Sequence, residues 1–222
     1  DLILTDPPYF DNLSYSELSD FYLAWHQSLG MAEPPYNNPA IAAPIKENLA
    51  LTDRGDQSIE VYRNSLHRIF CECRRVLKKD GIMVFTYHHK SPVAWDALGD
   101  ALVHSGLKCA TVLPLRGEGQ GGLHSYDGTI KWDAVFVCRK GSQVPSASSD
   151  NAAVPRTAIK QAKQQASAYA EDLAKTRQIG FRDPDRLNLE RAMIVASAVI
   201  APTHPDFMPL SDALKTSSTG GR

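Results

Sequence analysis

The chain has 222 residues, 43% of them hydrophobic, and a net charge of −1 from 24 Lys and Arg against 25 Asp and Glu. That length holds one full core and little more, and the near-neutral charge excludes a highly basic nucleic-acid coat, so any nucleic-acid affinity must reside in a local patch. No apolar run approaches the roughly 18 residues that a bilayer span needs, and the expectation is a cytoplasmic chain.

Taken in chain order, the first predicted element is a strand over 1–6. Its apolar run Leu2-Ile3-Leu4 closes in Asp6-Pro7-Pro8-Tyr9. A helix is predicted near 15–29, opened by Ser14 and Glu17 as a capping box. Leu18, Phe21, Tyr22, Trp25 and Leu29 fall at helical spacing on it and are expected in the core. Residues 30–56, with four prolines between Glu33 and Ile45, read as a long loop, either a target-recognition segment or disordered.

A second helix, about 57–78, aligns Ile59, Tyr62, Leu66, Ile69, Phe70, Cys73 and Leu77 on one stripe. Asp80-Gly81 turns it into a strand over 82–87. A third helix, near 92–105, ends at Gly106 before a strand over 107–113. The glycine-rich Gly117–Gly122 lacks the lysine and the strand-to-helix context of a phosphate cradle and reads as a flexible hairpin connection to a last strand over 129–138.

After Lys140 the composition shifts. Residues 141–155, rich in Ser and Ala, suit a linker, and 156–222 are expected to form a helical extension with a disordered end from Thr216. Within it, 156–178 is either a nucleic-acid-facing basic helix through Lys160, Lys163 and Lys175 or a solvated surface helix. The more apolar helix 184–200 offers Leu187, Leu189, Met193, Ile194 and Val199 for docking.

The four cysteines show no metal-site spacing. Cys71 and Cys73 diverge on a helix, while Cys109 and Cys138 stand alone in separate strands, so reduced thiols are expected. Two clusters of cations are candidates for a basic patch. Arg74, Arg75, Lys78 and Lys79 end a helix, where the dipole favours them anyway. His88, His89 and Lys90 follow a strand end and are the better nucleic-acid-facing candidates.

Asp6-Pro7-Pro8-Tyr9 carries the chemistry. A strand ending abruptly there places an acid, two rigid carbonyls and an aromatic face at the carboxyl edge of a sheet, where open α/β folds hold ligands. An exocyclic amine on a heterocyclic base is a poor nucleophile because its lone pair is delocalised into the ring. Acceptors aimed at its two hydrogens favour the pyramidal, reactive form. Asp6 can accept one and stabilise the positive charge that develops on nitrogen. The Pro7 carbonyl can accept the other, in a segment stiffened by consecutive prolines. Tyr9 supplies a face on which an extruded base stacks, worth on the order of 1–3 kcal/mol. The plain alternative is a strand followed by a Pro-Pro turn, with Tyr9 as packing.

Asp-Pro-Pro-Tyr after an apolar strand resembles the catalytic motif of the amino-methyltransferases that use S-adenosylmethionine. The longer run from Thr5 to Tyr22, with Val84–Lys90 and Ala94–Leu98, resembles the large prokaryotic adenine-specific DNA methylases that carry a zinc ribbon. The resemblance covers roughly residues 1–140, and the zinc ribbon has no counterpart here. It implies Asp6, Pro7, Pro8 and Tyr9 as the target-amine site, with Asp6 also at the edge of the donor pocket. It implies S-adenosylmethionine as donor and DNA as partner, with no membrane.

In fold, it implies the second half of a Rossmann-like methyltransferase sheet: parallel strands with helices, one antiparallel strand inserted between neighbours, then a helical tail. The glycine turn and acidic residue that hold the donor in such proteins precede the tetrad. The expectation is therefore a carboxyl-terminal fragment, partnered by the missing amino-terminal part of the same polypeptide, with a first strand that has one unpaired edge. Cytosine N4, RNA bases and protein glutamine pose the same planar-amine problem. A non-catalytic or degenerate nucleic-acid-binding module is the alternative of a different class.

Overall fold

The computed structural model describes residues 1–10, 15–30, 56–117, 129–142, 151–177, 181–200 and 204–217. The Ser14 cap, the 31–55 loop, most of the glycine-rich segment and the chain end from 218 lie outside the described residues.

The described elements are β1 (Leu2–Thr5), α1 (Tyr15–Ser28), α2 (Asp56–Val76), β2 (Ile82–Tyr87), α3 (Pro92–His104), β3 (Leu107–Arg116) and β4 (Trp132–Lys140), followed by β5 (Ala152–Pro155), α4 (Arg156–Arg177), α5 (Asp183–Ala196), β6 (Val199–Ile200), β7 (Phe207–Pro209) and α6 (Leu210–Thr216). The main sheet has the order β1-β2-β4-β3. β1 runs parallel to β2, and β4 is antiparallel to both β2 and β3. The fold is thus α/β with a mixed sheet, and its antiparallel strand lies between two neighbours that share one direction.

Alternation fixes which face of the sheet is inside. Met83, Phe85 and Tyr87 on β2 and Trp132, Ala134, Phe136 and Cys138 on β4 are buried, while their intervening neighbours are only partly covered. On the buried face Phe85 and Phe136 stack with centroids 4.8 Å apart, and Phe70 of α2 approaches Phe85 at 5.3 Å. α3 starts on a well-formed cap: the Ser91 side chain accepts the Val93 N–H, and Pro92 takes the first helical position, where no N–H is needed.

Several expectations are corrected. The aromatic stripe of α1 is not core: Phe21, Tyr22, Trp25 and Leu29 are all more than half exposed. Ile69 of α2 is also exposed, because it sits at the margin of the stripe whose centre is Tyr62, Leu66 and Phe70. Cys109 and Cys138 are not isolated. They face each other in the β3–β4 ladder, just before a register shift that sequence spacing does not reveal.

The carboxyl-terminal region is more than a helical extension. β5 falls within the segment expected to be a linker and forms the centre of a second sheet, β6-β5-β7, and the helix expected over 184–200 stops at Ala196, before β6. α5 packs on β3, β4 and α3 within the same hydrophobic cluster as Phe85 and Trp95, so Leu189 and Ile194 are core residues of this chain. α4 packs on α5 through buried Ala162 and Ala166, which its thin apolar stripe left undecided.

α5 also grips the sheet with polar side chains. Buried Asp185 accepts the Lys131 and Trp132 N–H groups on one oxygen, at 2.6 and 3.1 Å, and the Arg182 N–H on the other, at 3.1 Å. Buried Asn188 donates to the Trp132 carbonyl at 3.0 Å and accepts from the His89 N–H at 3.2 Å. Asp185→Ala leaves three backbone donors without their acceptor and is expected to cost about 3 kcal/mol or more in urea denaturation, with Asp185→Asn costing clearly less because it keeps one acceptor.

Among the described residues, no helix is long and apolar enough to cross a membrane. Among the described residues β1 pairs only with β2, and its Leu2 and Leu4 are 58% and 70% exposed.

Candidate active site

The end of β1 delivers Asp6 to the carboxyl end of the sheet beside the end of β2. Parity then decides what it meets. Along β2 the side chains of Met83, Phe85 and Tyr87 enter the core, so Thr86 lies on the opposite face, level with the tetrad. Both the Tyr9 and the Thr86 hydroxyls converge on Asp6 Oδ1 in short hydrogen bonds, and the two hydroxyl oxygens lie 2.8 Å apart. Burial, and then the hydrogen bond to Asp6, push the Tyr9 phenol well above its ordinary pKa, so it remains a donor at any physiological pH.

The prolines are anchored from below. Tyr62 of α2, itself buried, donates its hydroxyl proton to the Pro8 carbonyl at 2.9 Å, with the Tyr87 hydroxyl 3.4 Å from it. Pro7 is buried and Asp6 exposed, so the carboxylate stands at the surface on a fixed base. Phe10 follows in the left-handed region, with φ of 47°, a costly conformation for a bulky residue. Its ring is held against Tyr62 at 5.3 Å and His89 at 5.8 Å, contacts that hold it in that conformation.

His88, His89 and Lys90 separate into different roles. His88 turns toward the tetrad: its ring packs against Tyr9 at 4.6 Å, and its Nδ1 pairs with Asp133 of β4 at 2.5 Å. His89 is buried at 6% exposure, and its imidazole Nδ1 accepts the Ser91 N–H at 2.9 Å while its carbonyl accepts from Trp95 Nε1 at 2.8 Å. It therefore braces the turn and is not an exposed nucleic-acid contact. Lys90 is exposed, and its carbonyl receives Arg191. In the other basic cluster, Arg74 donates to the Gly106 and Gly141 carbonyls, while Arg75 pairs with Glu72 and Lys78 with Asp1 at the surface.

Sequence reasoning places Tyr62 in the buried stripe of α2 and gives Thr86 and Asp133 no role at the site. Thr86 is findable, since it lies on the less covered face of a strand whose alternate residues are large and apolar. Asp133 carries no such signal.

Chemically, the site offers an exposed carboxylate at a strand end, a stiff proline segment and an aromatic ring fixed at its hydroxyl end. No family model, curated protein or solved structure matches this chain.

Proposed function

We propose that this chain carries the amine-holding site of an S-adenosylmethionine-dependent DNA adenine N6-methyltransferase. The observation that carries the reading is the placement of Asp6, presented at the carboxyl end of β1 by Tyr9 and Thr86 on a proline segment clamped by Tyr62. The donor, when bound, supplies an electrophilic methyl group. The chain's own residues act on the amine. Asp6 accepts one of its hydrogens and balances the charge that grows on nitrogen, and the Pro7 carbonyl accepts the other. Tyr9 positions the extruded base with its ring. The site for the rest of the donor belongs along the outer edge of β1, where Leu2 and Leu4 are exposed.

A second reading, a non-catalytic nucleic-acid-binding module, is favoured by one observation: two hydroxyls already converge on Asp6 Oδ1, so an entering amine must use the other oxygen or displace one of them. Incubation of DNA with the native polypeptide and S-adenosylmethionine labelled in its methyl group separates the two. N6-methyladenine in the digested nucleosides supports the enzyme, N4-methylcytosine redirects it to the other exocyclic amine, and DNA that is bound without gaining any label sinks the catalytic reading.

A further inference from the structure

A cavity of ≈ 670 Å³ lies between α4, α5 and the turn from β2 to α3, within the roughly 300–1,000 Å³ range of ligand pockets. Its wall brings together residues remote in sequence: Lys90 from the turn, Lys163 from α4, and Arg186 and Arg191 from α5. Against these four cations stand two carboxylates, Asp183 and Glu190. In a chain whose net charge is −1, this is a local concentration of positive charge. Lys90 and Lys163, which belong to two separate basic segments of the sequence, here face one space.

Both carboxylates lie beside these cations, and four cations against two carboxylates leave the wall a surplus of positive charge. The Asp183 side chain is 94% exposed and lies 3.6 Å from Arg186. Glu190 is enclosed, with 2% of its side chain exposed, and lies 3.9 Å from Lys163 Nζ and 3.7 Å from Arg186, both longer than a hydrogen bond. Its Oε1 accepts no hydrogen bond. Burial moves the Glu190 pKa upward, against the lowering effect of the neighbouring Lys163, Arg186 and Arg191. Lys163 and Arg186 therefore flank one buried carboxylate with their side chains 43% and 34% exposed, and Lys163 Nζ also donates to the Thr216 carbonyl at 3.4 Å. His89, which lines the cavity, meets on its other contact the ring of Phe10, the residue that follows the tetrad.

We propose that this cavity seats a backbone phosphate of bound DNA, held by Lys163 and Arg186 with Lys90 at its rim. The proposal rests on the nucleic-acid reading of the tetrad and names where the strand is gripped while a base reaches Asp6. Phosphate contacts of this kind fix register without reading sequence.

The test is fluorescence anisotropy of a labelled DNA duplex with the full chain, without donor, over a range of salt concentrations. Lys163→Ala and Arg186→Ala are each expected to weaken binding by roughly threefold to tenfold and to lower the salt slope by about 0.9 per lost contact. Lys160→Ala, on an exposed part of the same helix outside the cavity, is expected to bind like the parent. Lys163→Gln keeps length and polarity beside Glu190 and guards against loss of fold, checked by thermal melting. Unchanged affinity in the cavity variants, or equal weakening in all three positions, overturns the proposal. So does calorimetric binding of dAMP or inorganic phosphate that depends on Lys163 while DNA affinity does not. A parent chain that fails to bind DNA removes the nucleic-acid reading as well, whereas DNA binding without methyl transfer removes only the catalytic one.

Discussion

Asp6→Ala is expected to lower methyl transfer by about 10²–10³-fold, the usual loss when a group aimed at developing charge is removed. The carboxylate is the only charged group of the tetrad, and the groups around it are engaged: the Pro8 carbonyl by Tyr62 and the Asp133 carboxylate by His88. The fold should not notice. Asp6 is exposed, and on its removal the Tyr9 and Thr86 oxygens, 2.8 Å apart, can bond to each other. Surface changes of this kind stay within about 0.5 kcal/mol, which for a chain of this size moves Tm by roughly 1–2 °C. Asp6→Asn keeps an acceptor without the charge and should fall between parent and alanine. Initial rates of label transfer measured alongside thermal melts check all three, and full activity in the alanine variant would sink the role assigned to Asp6.

Trp95→Ala should be the most damaging single change to stability. Trp95 is fully buried, its ring meets Tyr87 at 4.8 Å and approaches Phe136 at 6.3 Å, and its indole N–H holds the His89 carbonyl. Truncating a buried tryptophan costs about 3–5 kcal/mol. Domains of ordinary stability have about 5–15 kcal/mol in total. The loss reaches the site as well, because the His89 turn is the seat of Phe10 and the step from His88 to Lys90. Trp95→Phe should lose much less, since most of the ring volume stays. Urea denaturation of the two variants measures the difference, and a cost below about 1 kcal/mol for alanine would mean that the core repacks around the gap.

What was legible in the sequence depended on how far apart the deciding residues lie. α2, β2 and α3 declare themselves locally, through helical spacing, alternation, the Asp80-Gly81 turn and the Ser91-Pro92 start, and their predicted ends match the structure to within a residue or two. Asp6 and Tyr9 are three residues apart, so their association is a local matter too. Thr86 joins them from 80 residues away, and Asp133 meets His88 across the β2–β4 pairing; both depend on strand order, which no local pattern encodes. Hydrophobicity misled in both directions. The aromatics of α1 have ideal helical spacing yet are exposed, while α5 buries Asp185, Asn188, Glu190 and Arg191, residue types that read as surface. Each polar side chain on α5 that grips the sheet or the turn has a backbone partner, which composition alone does not show.

The three tryptophans occupy three different environments, and this gives the molecule a built-in set of reporters. Trp25 on α1 is 56% exposed, Trp95 is sealed in the core, and Trp132 is buried with its carbonyl held by Asn188, a residue of the cavity wall. An aqueous quencher such as iodide will reach Trp25 and spare the other two, so the blue-shifted remainder of the emission records the integrity of the core alone. With Trp25 replaced by phenylalanine, all of the emission comes from the two buried tryptophans and follows unfolding without any attached dye.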